Sequence, residues 1–139
     1  MASPNKDQHT ILEKLGIEKL NGMQAKTIAT IRTADEVVLL SPTGTGKTLA
    51  FLLPVVELLK EDCAEVQALI VVPTRELAIQ IEQVARSMGS GFKTNAVYGG
   101  RAGSQDKIDL KHRPAILVGT PGRVADHLRK ESFPVDDIK

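Results

Sequence analysis

The stretch Ser41-Pro42-Thr43-Gly44-Thr45-Gly46-Lys47-Thr48 constrains this chain more than any other part of it. Four apolar residues, Val37 to Leu40, precede it, and a long helical pattern begins at Lys47. An apolar run without alternation suits a strand buried on both faces of a parallel sheet. A glycine-rich turn between such a strand and a helix can wrap its backbone N–H groups around an anion, because glycine adopts dihedrals that other residues avoid. The positive end of the helix dipole adds to the attraction. On this reading Lys47 reaches the β- and γ-phosphates of a nucleotide and the Thr48 hydroxyl holds Mg²⁺. Ser41 stands where the general pattern begins with Gly, and it is small enough to serve. Residues 41–48 are therefore predicted to form a nucleotide-binding loop.

Further elements follow in a regular order. A short helix is predicted from about Asp7 to Leu15, stopped by Gly16. Asn21 can cap the next helix, with Gln24 three residues later completing a capping box and Ile28 and Ile31 facing the core. The helix from Lys47 runs to about Asp62 and contains Pro54, which should bend it at a cost of up to about 3 kcal/mol. Val66 to Val72, Lys93 to Tyr98 and Ala115 to Val118 read as strands. Thr74 caps a helix that places Leu77, Ile81, Val84, Ala85 and Met88 on one face. A weaker helix is predicted from about Ser104 to Lys111. Thr120-Pro121 opens a last helix with Pro at its first position. Strands alternating with helices imply βα units and a mostly parallel sheet. The tail from Phe133 to Lys139 closes no element.

Composition excludes several classes. Apolar residues make up 42% and charged residues 25% of 139, an ordinary globular balance, while 3% aromatic content leaves a core of Leu, Ile, Val and Ala. Eighteen Lys plus Arg against seventeen Asp plus Glu leave a formal charge of +1, so any nucleic-acid contact must be local. Cys63 is the single cysteine and cannot form an intrachain disulfide or a cysteine zinc cluster. The first residues lack a signal-peptide core, and no apolar run approaches the roughly 18 residues needed to span a bilayer. A cytoplasmic protein with no membrane partner is expected.

Four motifs together resemble those of the DEAD-box RNA helicases. Ser41 to Thr48 is similar to their motif I, which usually begins with Ala. Pro73-Thr74-Arg75-Glu76-Leu77-Ala78 resembles motif Ia, Gly99-Gly100 the glycine doublet, and Thr120-Pro121-Gly122-Arg123 motif Ib. They stand in family order, each at the C-terminal end of a predicted strand, the edge where open α/β sheets bind ligands. The resemblance runs from about Gly16 onward. It implies an α/β fold: a P-loop RecA-like, mostly parallel sheet flanked by helices and incomplete at its C-terminus. Residues 1–15 would be a short extension and 16–139 part of the first RecA-like domain.

The resemblance also implies ATP and Mg²⁺ as cofactors, and RNA and a second RecA-like domain as partners. Ser41, Pro42, Thr43, Gly44, Thr45, Gly46, Lys47 and Thr48 would hold ATP, with Lys47 and Thr48 positioning phosphate and metal for catalysis. Pro73, Thr74, Arg75, Glu76, Gly99, Gly100, Thr120, Pro121, Gly122 and Arg123 would line an RNA-backbone groove, with Arg101 added by position. Such contacts place a strand without reading its bases. Gln24 would correspond to the adenine-reading glutamine, with Gly16-Ile17-Glu18-Lys19 upstream. Leu20-Asn21-Gly22 replaces the usual Pro-Thr-Pro, and Asp7 stands where an aromatic residue is expected. Gln24 as the third helical residue of a capping box remains the alternative.

Within these residues no Asp-Glu-Ala-Asp sequence follows the last helix; Asp136-Asp137-Ile138-Lys139 reads as a polar approach to such a strand. The resemblance implies that the arginines stabilising transition-state charge come from the second RecA-like domain. Since an arginine finger alone accounts for about 10³–10⁵ in phosphoryl-transfer rate, residues 1–139 by themselves are expected to bind nucleotide without useful turnover. Two other readings stay open: a non-catalytic RNA- or partner-binding module, and another P-loop helicase acting on DNA.

Overall fold

A computed structural model describes residues 4–100, 110 and 112–139. The helix predicted at 104–111, residue 110 excepted, and the candidate Arg101 lie outside these residues.

Helix α1 (Gln8–Lys14) begins where the Asp7 carboxylate accepts from the Thr10 amide at 2.9 Å. The bond from the Thr10 hydroxyl, and after it this one from the amide, hold the Asp7 carboxyl below its ordinary range. The helix ends at Gly16, whose φ of +70° needs no side chain to be accommodated. Helix α2 (Gly22–Ile31) carries the expected capping box: Gln24 N donates to Asn21 Oδ1 at 2.8 Å, and Asn21 N to Gln24 Oε1 at 3.0 Å. An Arg32–Glu57 ion pair then ties α2 to α3 (Lys47–Leu58) and raises the Arg32 pKa through its hydrogen bonds to that carboxylate.

Helix α3 runs unbroken through the buried Pro54, although the ring cannot donate to the Ala50 carbonyl. It stops at Leu58, not near Asp62. Leu59 turns extended, and the buried Gln67 side chain then takes Lys60 on both sides, accepting from its N–H at 2.7 Å and donating to its carbonyl at 3.0 Å. The ammonium of Lys6 donates to the Leu59 carbonyl and, at 3.3 Å, to that of Glu57, satisfying acceptors that the helix end leaves open.

The sheet contains β1 (Ala68–Val71), β2 (Thr94–Val97) and β3 (Ile116–Gly119), all parallel, in the order β1-β3-β2. Between β1 and β2 lies α4 (Arg75–Ser87), capped by the Thr74 hydroxyl as expected; α5 (Pro121–Arg129) follows β3. Alternate residues of β3 serve the two faces. Ile116 and Val118 join Leu52, Leu53, Ile81 and Met88 in the larger core, to which α1 adds Ile11 and Leu12. Leu117 faces Val97, Val124 and Phe133 on the other side. Phe133, assigned to an open tail from sequence, is therefore a core residue. Gly119 has no space for a Cβ: one would lie 2.8 Å from a Val97 methyl and closer still to Val124.

One predicted strand is absent. Val37 to Leu40 is irregular, with Val38 86% and Leu40 90% exposed. A strand buried on two faces needs a ladder neighbour to take its backbone groups. The three strands pair only with one another, so residues 37–40 find no partner among the described residues. Replacing both Val38 and Leu40 by lysine is accordingly expected to change stability by no more than about 0.5 kcal/mol in chemical denaturation. A loss above about 2 kcal/mol would show that these side chains are buried after all.

Candidate nucleotide and nucleic-acid site

The glycine-rich loop closes on itself. Gly44 and Gly46 take φ of 82° and 86°, the left-handed region that lets the chain turn sharply into α3. The Lys47 ammonium donates back to the Ser41 carbonyl at 2.8 Å. The Thr45 hydroxyl donates to the Pro42 carbonyl at 2.7 Å, so the Ser41 hydroxyl is the donor in its 2.6 Å contact with Thr45. Gly46 is the N-cap of α3 and provides no side-chain cap, leaving the first backbone N–H groups of the helix to an external acceptor. Thr48 is half-buried in the first turn, and its hydroxyl makes no hydrogen bond among the described residues.

These features fit a polyphosphate. Flexible glycines, orphan N–H groups and one ammonium converge where the loop meets the helix, and a hard hydroxyl oxygen stands beside them. One protein oxygen with the rest supplied by phosphate and water is how Mg²⁺ is often held. Among the described residues no group of three His, Cys, Asp or Glu is arranged to hold a metal.

Gln24 is buried and occupied. Besides its role in the capping box, its Nε2 donates to the Gly46 carbonyl at 3.2 Å. It therefore supports the loop from the α2 side, whatever further partner its second N–H and lone pair take. The Asn21 side chain also reaches the loop, donating to the Thr45 carbonyl at 3.0 Å. The sequence reading missed that contact, because a capping asparagine gives no sign of where its spare donor goes.

The remaining motifs are brought together by the sheet. Val71, Gly119 and Val97 lie in one row across the three strands. Neighbouring strands sit about 4.8 Å apart, so the segments leaving that row emerge side by side. They are Pro73 to Glu76, Thr120 to Arg123, and Gly99-Gly100. The approach is close: a Cβ on Gly100, where φ is 93°, would stand 3.0 Å from Arg75 Nη1. Pro73, Thr74, Arg75, Glu76, Gly99, Gly100, Pro121 and Gly122 are exposed, and Thr120 and Arg123 are half-buried. Helices α4 and α5 both point their N-termini from this edge, α5 with Pro121 at its start and no side-chain cap. Arg75 reaches Glu76 only loosely, at 3.7 Å, leaving the guanidinium half exposed. On α5 the Asp126 carboxyl is held below its ordinary range, chiefly by a hydrogen bond from Lys130 and then by the charges of Lys130, Arg129 and Arg123.

Known proteins share this arrangement. The DEAD/DEAH box helicase family pattern matches residues 21–139. The ATP-dependent RNA helicase CshA of Limosilactobacillus reuteri is 38% identical over 92% of this chain and 26% of its own length. The ATP-dependent RNA helicase DbpA of Bacillus subtilis is 39% identical over 91% and 27%. The chain thus spans about a quarter of the length of these curated relatives. Among solved structures, a hypothetical ATP-dependent RNA helicase from Sulfolobus tokodaii superposes with a TM-score of 0.80 at 29% identity, covering 95% of this chain and 39% of its own. The yeast DEAD-box splicing factor Prp28 has the same RecA-like fold, with a TM-score of 0.83 at 24% identity over 99% and 34%. With the family pattern covering residues 21–139 and the parallel sheet common to these structures, the chain belongs to the DEAD/DEAH box helicase family.

Proposed function

We propose that this chain supplies the phosphate-binding half of an ATP site and part of an RNA-backbone groove in an ATP-dependent RNA helicase. Residues 16–139 would be part of its first RecA-like domain, with residues 1–15 an extension. The reading is carried by one observation: three motif segments leave a single row of a parallel sheet together, Arg75 lying against Gly100. Ser41 to Thr48 would hold ATP, Lys47 on its phosphates and the Thr48 hydroxyl on the Mg²⁺ that comes with them. Bound Mg²⁺ would neutralise phosphate charge. Gln24 would face adenine while its amide steadies the loop. A second RecA-like domain would complete both sites, and residues 1–139 alone would bind without turnover. No helix among the described residues is long and apolar enough to cross a membrane, and the setting proposed is cytoplasmic.

Filter binding of a single-stranded RNA at several salt concentrations tests the groove. Each phosphate neutralised contributes about 0.7 to the slope of log affinity against log salt. Arg75→Ala and Arg123→Ala are each expected to lower the slope by about that amount, equally for unrelated sequences. Unchanged slopes would remove both arginines from the groove. Equal competition by matched DNA would favour a DNA-acting helicase, since an RNA preference needs contact with the 2′-hydroxyl.

A further inference from the structure

Asn21 uses the two ends of one carboxamide for different tasks. Its Oδ1 accepts from the Gln24 N–H at 2.8 Å and caps α2, while its Nδ2 donates to the Thr45 carbonyl at 3.0 Å. Beside it, Gln24 Nε2 donates to the Gly46 carbonyl, which also accepts from Ala50 N at 3.2 Å. The start of α2 is thereby fastened to the last two peptide units before α3.

That attachment fixes direction as well as position. A trans peptide unit points its C=O and N–H opposite ways, and no cis bond occurs among the described residues. Holding the Thr45 oxygen against α2 turns the Gly46 N–H away from α2. The same logic turns the Lys47 N–H outward from the start of α3. The α2 side of Gly46 is filled, because a Cβ there would collide with Gln24 Nε2. Both N–H groups therefore face the open side of the loop.

We infer that Asn21 is a positioning residue for the phosphate cradle. Its donor, separable from its capping acceptor, holds the Thr45–Gly46 peptide so that the Gly46 N–H faces a bound phosphate. This rests on the nucleotide reading of residues 41–48. Asparagine suits the task because a carboxamide presents a fixed acceptor and a fixed donor at once; serine caps equally well but is too short to hold both.

The test titrates pyrophosphate–Mg²⁺ and ADP–Mg²⁺ into the 139-residue chain, its Asn21→Ser variant and its Lys47→Ala variant, with the Gly46 amide proton followed by NMR. Asn21→Ser is expected to weaken both ligands by the same factor, about 5- to 10-fold. The unfolding midpoint should stay unchanged, and the downfield shift of the Gly46 proton on adding pyrophosphate should shrink. Unchanged affinity, a loss confined to ADP, or a loss that follows a lowered midpoint would each overturn the inference. Failure of the nucleotide reading looks different: the unaltered chain would bind pyrophosphate no better than Lys47→Ala does, and both claims would fall.

Discussion

Lys47→Ala is expected to weaken ADP–Mg²⁺ binding by about 100-fold or more in a calorimetric titration. In the ligand-free loop the ammonium is bonded to a neutral carbonyl, that of Ser41 at 2.8 Å. A phosphate offers the same ammonium a charged acceptor, roughly twice as strong a partner. Exchange of one for the other favours binding, and alanine has nothing to exchange. The fold should tolerate the change, since Lys47 is half-buried, at the first helical position, and outside both core clusters. Affinity within about 3-fold of the unaltered chain would mean that phosphate binds elsewhere or not at all.

Leu117→Ala is expected to destabilise the protein by about 2–5 kcal/mol in urea denaturation. Leu117 is 0% exposed in the central strand and packs with Val97, Val124 and Phe133. Removing its branched end leaves a cavity between β3 and α5 that strands paired on both sides cannot collapse to fill. Because β3 also delivers Thr120 to Arg123, RNA binding should weaken with it. A cost below about 1 kcal/mol would contradict the packing described for this face.

The contrast between Leu117 and Leu40 shows what the sequence could and could not reveal. Both lie in short apolar runs that read as strands, and only one is buried. Leu117 has strands on either side, whereas residues 37–40 have no ladder neighbour among the described residues. Pairing is a property of distant segments, so local pattern alone does not distinguish the two. Features whose cause is local were legible: the Thr74 cap, the Asn21–Gln24 box, the Pro121 helix start and the Gly16 stop. The early end of α3 was not, because it depends on Gln67 reaching back to Lys60. At the candidate site, the residues of the glycine-rich loop could be named from their order. The approach of Arg75 to Gly100 and of Asn21 to Thr45 required the fold.

Chemical-shift mapping on the ¹⁵N-labelled chain tests the central claim most directly, with ADP–Mg²⁺ and a single-stranded RNA added separately. Nucleotide is predicted to move the amides of Thr43 to Thr48, and RNA those of Thr74 to Glu76, Gly100 and Gly122 to Arg123. Shifts concentrated away from these segments would contradict a phosphate cradle and an RNA groove built from these motifs, and the same nucleotide-induced shifts with Lys47→Ala would contradict the cradle.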